Sequence, residues 1–198
     1  MRPWPSRPHI GLRHALLIVA LLAPVRCLAA TAELDGVQLP RTISADGKTL
    51  YLNGVGLRTY SIFGIPIYVA GLYLEHQSTD ANAVMQSPET KLLRIQFVHS
   101  VSATAARNAW RTGLQNNCRA PCQLDPADMA RFLAEVPDMH VGERYSILFT
   151  QQGATVTADT TPLGTISKPR FVSSMLAMFL GDVPASAKLK AELLQGHD

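Results

Sequence analysis

The sequence predicts an α+β domain in which a large, mostly antiparallel sheet carries helices on one face. Three observations point there. The first third after a short leader is dominated by runs of β-branched and aromatic residues; short strands with turn signals return after residue 143; and segments with helix caps stand between and after these groups. At 198 residues the chain can bury one substantial core, and neither a repeat nor a linker divides it.

Residues 1–32 stand apart from that core. They contain Arg2, Arg7 and Arg13, an apolar run over 15–25, and the small-residue site Ala30-Thr31-Ala32 ahead of Glu33, the pattern of a cleaved secretory signal peptide. A cut after Ala29 fits the same pattern. Because the apolar run falls short of the ~20 residues that span a bilayer, and no later run is longer, the mature domain 33–198 is expected without a membrane span, exported and periplasmic. Arg26 occupies the position where a lipid-modified Cys27 would want a small residue. Four of the 18 Lys and Arg lie in the leader while all 15 acids lie beyond it, so the domain is near neutrality. Without a basic stripe there is no electrostatic reason to expect nucleic-acid binding.

Taken in order, residues 37–44 read as a strand broken by Pro40, Asp46-Gly47 as a hairpin turn, and 49–52 as its second strand. Gly54 and Gly56 mark a corner or bulge where backbone comes close to something else. Two further strands, 57–63 and 67–74, flank a turn at Phe63-Gly64-Ile65-Pro66; the second is apolar on both faces, which calls for cover on both sides. A short helix over 79–86 follows, capped by Ser78 or Thr79, then a strand over 91–98 with one wetter face. Ser102 caps a helix to Leu114 with Ala103, Ala106, Trp110 and Leu114 on one side, and Asp125-Pro126 opens another that ends at Pro137. Strands at 144–150, 154–159 and 164–166 form a meander with turns near Gln152-Gly153 and Thr161-Pro162. Ser167-Lys168-Pro169 opens a helix with Phe171, Ser174, Met175, Met178 and Phe179 on one side and Gly181 as its C′ residue, and a last helix spans 185–194.

Cys118 and Cys122 are the two cysteines of the mature chain, and in an exported protein they are expected to form a disulfide that pins a local turn. A metal pair or a redox centre fits less well. Redox centres have two residues between the cysteines, not three, and His76, His99, His140 and His197 show no paired spacing for a zinc site, so no metal or other cofactor is expected. His99, at a strand end, reads as a surface histidine before it reads as a base.

The conspicuous charge is Arg58, set in an apolar hairpin. It needs a partner, which a carboxylate such as Glu75, backbone carbonyls or a ligand anion could supply.

Gly54-Val55-Gly56-Leu57-Arg58, Gly64 and Val69-Ala70-Gly71-Leu72-Tyr73-Leu74-Glu75 together resemble the opening of the chalcone isomerase family. Lys91-Leu92-Leu93-Arg94-Ile95 resembles the strand before that family's long helix, and residues 171–181 with Pro184 and Leu193-Leu194 resemble its closing helices. From Gly36 onward the chain is similar to exported bacterial members. The resemblance implies an open-faced β-sandwich whose sheet and helices enclose a cleft. It also implies that Arg58 holds an anionic oxygen, as in the ring-closing Michael addition of the plant enzymes. The family's threonine then falls on Tyr68, its tyrosine on Ala106 and its asparagine on Gly113, so one hydroxyl is kept and two polar groups are lost. Non-catalytic relatives bind fatty acids through the equivalent arginine. The expectation is therefore a binding protein for a small apolar anion, with Arg58, Tyr68, Met175, Met178 and Phe179 as ligand-binding residues. The alternative is an intramolecular lyase for a phenolic enone, with Arg58 and Tyr68 catalytic. A third possibility is a structural or partner-binding envelope protein, whose partner the sequence does not identify.

Overall fold

The computed structural model describes residues 30–61, 63–118 and 120–196. The expected leader lies outside these residues except for its last three, of which Thr31 and Ala32 already belong to a strand.

Strands β1 (Thr31–Leu34) and β2 (Val37–Pro40) form a separate hairpin, with Thr31 opposite Pro40 and Leu34 opposite Val37. Strands β3 (Thr42–Ala45), β4 (Lys48–Tyr60), β5 (Ile65–Leu74), β6 (Lys91–Phe97), β7 (Arg144–Thr150), β8 (Gly153–Ala158) and β9 (Thr161–Ile166) build one sheet of seven in chain order, each pair antiparallel. Helix α1 (Ala81–Gln86) links β5 to β6, α2 (Ala103–Asn116) and α3 (Pro126–Ala134) link β6 to β7, and α4 (Pro169–Leu180) and α5 (Ala187–Leu193) close the described chain.

β5 is covered on both faces, as its two-sided apolar pattern requires. On one side Val69 and Tyr73 pack with Leu50, Leu52 and Leu92 beneath Val37 and Leu39 of the small hairpin. Tyr73 also donates its hydroxyl hydrogen to the Pro40 carbonyl at 3.0 Å. On the other side Ala70, Leu72 and Leu74 join Leu93, Ile95 and Ile147 against Phe171, Met175, Leu180, Leu189 and Leu193 of α4 and α5.

Gly54 and Gly56 mark a bulge rather than a corner, and what approaches them is α5. The register shifts between Leu52 and Gly54 within one continuous strand. A Cβ on Gly54 would stand 2.6 Å from the Leu193 carbonyl carbon, and one on Gly56 would stand 2.8 Å from Leu189 Cδ1. The intervening Asn53, fully buried, donates to the carbonyls of Ser78 (3.0 Å) and Leu193 (2.8 Å) and accepts from the Ser78 N–H (2.7 Å). Glu192 accepts from the Leu57 N–H at 3.0 Å and pairs with Lys188.

Several boundaries differ from the sequence reading. The β4–β5 connection lies between Tyr60 and Ile65, earlier than expected, and after the register shift at Arg58 Pro66 sits in β5 opposite Thr59. Helix α1 is capped by Asp80, whose carboxylate accepts from the N–H groups of Asn82 and Ala83, not by Ser78 or Thr79. The β8–β9 turn falls at Asp159, with φ 48°, so Thr161 and Pro162 lie in β9. Gly181 has φ −75°, so it is no left-handed C′ residue; the need for glycine is steric, a Cβ there lying 2.8 Å from that of Ala177.

Candidate functional site

Between the concave face of the sheet and helices α2, α3 and α4 lies a cavity of about 830 Å³. Its floor is Tyr68, Ile95, Phe97, Tyr145, Ile147 and Val156, the residues that antiparallel register brings to one face of β5 to β8. Its roof is Ala106 and Trp110 of α2, Phe132 of α3, and Phe171, Met178 and Phe179 of α4. Trp110 packs edge-on against Phe132 (5.1 Å between centroids) and Phe179 (6.3 Å), and Phe132 against Phe171 (5.5 Å). These walls are predominantly apolar and aromatic, the lining that favours an apolar ligand body.

Arg58 and Tyr68 are direct partners across β4 and β5, and both line the cavity at its hairpin end. Residues paired this way in antiparallel strands point to the same face. Arg58 Nη1 donates to the Thr59 carbonyl at 2.5 Å. Among the described residues no carboxylate forms an ion pair with it: Glu75, the partner considered from sequence, instead pairs with Lys48 (3.6 Å) and accepts from the Thr90 N–H (2.7 Å). Tyr68 packs edge-on to Phe97 with centroids 5.6 Å apart. Although its ring is only partly covered, burial pushes its phenol up to about 12, the Arg58 guanidinium pulling the other way. At neutral pH it is a hydrogen-bond donor and not a base.

Met178 and Phe179 line the cavity, and Met175 does not. It is fully buried in the core one turn earlier on the same helical stripe. Cys118 and Cys122 form a disulfide between α2 and α3, with Cα atoms 5.1 Å apart. His99 lies exposed at the cavity edge. Asp128 and Arg131 of α3 and its C-cap Glu135 also border the cavity, Asp128 pairing with Arg131 at 3.2 Å, and Lys168 borders it at the start of α4. No three His, Cys, Asp or Glu side chains converge as a metal site among the described residues, and no helix among them is long and apolar enough to cross a membrane.

A family model described as chalcone isomerase-like matches residues 30–195. The chain belongs to the chalcone isomerase-like family. A solved structure titled as a fatty-acid binding protein of Arabidopsis thaliana matches this chalcone isomerase-like fold with a TM-score of 0.69, covering 83% of this chain and 96% of that one. At 16% sequence identity the likeness establishes the fold. No curated protein matches the chain significantly.

Within this chalcone isomerase-like domain, the two positions where the resemblance puts polar groups of the plant enzymes are apolar for visible reasons. Ala106 is part of the cavity roof and offers only a methyl group. At Gly113 a side chain would displace the end of Met178, since a Cβ there would lie 2.9 Å from Met178 Sδ. The thioether fills that space. The sequence reading missed Tyr145, a second phenol on the floor, whose pKa is raised by burial and then by Glu143 and Asp159. Its place in the alternating pattern of β7 marks it as inward-facing, but only the register shows that it stands beside Ile95, opposite Ala158.

Proposed function

We propose that this chalcone isomerase-like protein is an exported, non-catalytic binder of a small, largely apolar anion such as a fatty acid. Arg58 and Tyr68 meet the head group, and the aromatic roof of Trp110, Phe132 and Phe179 covers the tail. The observation that carries the proposal is Arg58 itself: a cation at the end of an apolar cavity, with no carboxylate partner among the described residues. A carboxylate ligand would receive charge-assisted hydrogen bonds from the guanidinium and another from the protonated Tyr68 phenol. The solved fatty-acid binding protein of the same fold supports this choice of ligand class.

Ring closure on a phenolic enone draws on the same arginine but has less support, since Ala106 and Gly113 supply no hydroxyl or amide to hold water and ketone. Export draws on the leader pattern and the disulfide. Cleavage after Ala29 keeps β1 whole, whereas cleavage after Ala32 removes half of it, so the first site is proposed. Native mass spectrometry of the mature protein with a saturated long-chain fatty acid tests the binding function. A one-to-one adduct is expected; an unliganded protein across a series of chain lengths would contradict it.

A further inference from the structure

The end of the sheet that carries Arg58 also carries most of the exposed apolar bulk. Tyr60 (65% exposed), Phe63 (84%), Ile65 (40%) and Val141 (64%) are four of the six large hydrophobic side chains exposed among the described residues. The first three belong to the β4–β5 hairpin. Val141 lies on the turn before β7, whose Gly142 N–H donates to the Phe97 carbonyl at 2.8 Å; one strand over, the Val98 and His99 N–H groups donate to the Ile67 carbonyl. Both turns therefore project from the same end of β5, β6 and β7. They stand clear of the other described residues, since a Cβ on either Gly64 or Gly142 would meet nothing within 4 Å. No residue from Thr59 to Ile67 is charged. Tyr60 and Ile65 also line the cavity, so the exposed patch is continuous with the apolar interior.

We propose that these two turns dock on a lipid bilayer, so that an apolar anion passes between the membrane and the cavity beside Arg58. A protein partner fits less well. Specific protein interfaces bury about 800 Å² per partner over some 20–30 residues, whereas this surface is a narrow protruding tip with four large apolar side chains. Aromatic and aliphatic groups on an uncharged turn are what the boundary between head groups and acyl chains accommodates. Arg58, two residues behind Tyr60, is placed to meet anionic head groups once the tip is inserted. His99, His140, Glu143 and the Arg144–Asp159 pair surround this end with mixed charge, so docking relies on the apolar tip more than on net charge. The cargo rests on the binding function proposed above; the docking does not.

Flotation with vesicles of phosphatidylethanolamine and phosphatidylglycerol in equal amounts tests this. The mature protein is expected to float with the vesicles, and the F63D/V141D double variant to lose about tenfold or more of the bound fraction. Its fatty-acid affinity in vesicle-free buffer should be unchanged, because neither residue lines the cavity. The proposal is overturned by a wild type that does not float, by a variant that floats equally well, or by a dimer in sedimentation that F63D abolishes while no vesicles are bound. A protein that floats but binds no fatty acid retains the docking and loses the cargo. One that binds fatty acid without floating does the reverse.

Discussion

Arg58 and Tyr68 stand opposite each other on β4 and β5, so a single cross-strand pair sets a guanidinium beside a phenol at one end of an apolar cavity. The positions of both follow from register. The bulge that follows Arg58 skips Ile67 on the partner strand and leaves the pair itself intact.

The space beside Gly113 is held by the end of the Met178 side chain, which a Cβ there would approach to 2.9 Å at Sδ. Replacing a mid-helix glycine by alanine ordinarily stabilises by up to ~1 kcal/mol. The thioether is flexible and borders the cavity, so it can move aside, and Gly113→Ala should keep most of that gain in urea unfolding. A double-mutant cycle with Met178→Ala measures what the displacement costs.

Asn53 joins β4 to α5 and to the segment after β5. Asn53→Ala leaves the Ser78 N–H and the Ser78 and Leu193 carbonyls without this partner. The expected cost is about 3 kcal/mol, seen as a lower urea midpoint with an unchanged slope. Fatty-acid affinity measured well below the unfolding midpoint should not change.

Alkaline pH should unfold the protein through its tyrosines. Burial pushes Tyr68 and Tyr73 up to about 12, with Arg58 and Arg94 respectively opposing the shift. An unfolded tyrosine titrates near ~10, so below that pH both states keep the proton and stability is unaffected. Between ~10 and 12 the unfolded state holds fewer protons, and stability falls as pH rises. Tyr73→Phe should flatten this decline while lowering stability at neutral pH, because the hydrogen bond to Pro40 is lost. Denaturant midpoints across the alkaline range test both effects.

The disulfide closes a small loop, its cysteines four positions apart in sequence. Loop-closure entropy then gives about 2 kcal/mol. Reduction, or the C118S/C122S pair, should lower the unfolding midpoint by that amount and leave ligand affinity within about twofold, since neither cysteine lines the cavity.

Much of this was legible in the sequence because strands and helices announce themselves by period. The two-sided apolar pattern of β5 called for cover on both faces, and the β1–β2 hairpin and the helices provide it. Asp125-Pro126 and Ser102 cap their helices as read. The cavity wall was less legible. Phe171, Met175, Met178 and Phe179 share one helical stripe, and periodicity does not distinguish a side chain packed into the core from one that borders empty space. Phe132 and Tyr145 became wall residues through the spacing between α3 and the sheet, a tertiary quantity with no local signature. Gly54 and Gly56 announced a close approach without naming α5 as the neighbour.

Whether Arg58 receives the anion is decided by comparing two alanine variants. Fatty-acid titrations of wild type, Arg58→Ala and Lys168→Ala compare the two cations that border the cavity away from the Asp128–Arg131 pair. Loss of a charge-assisted contact costs ~1.5–3 kcal/mol, so Arg58→Ala should bind about 10–100-fold more weakly while Lys168→Ala remains near wild type. Equal affinity for wild type and Arg58→Ala, or a loss confined to Lys168→Ala, would show that Arg58 does not receive the anion.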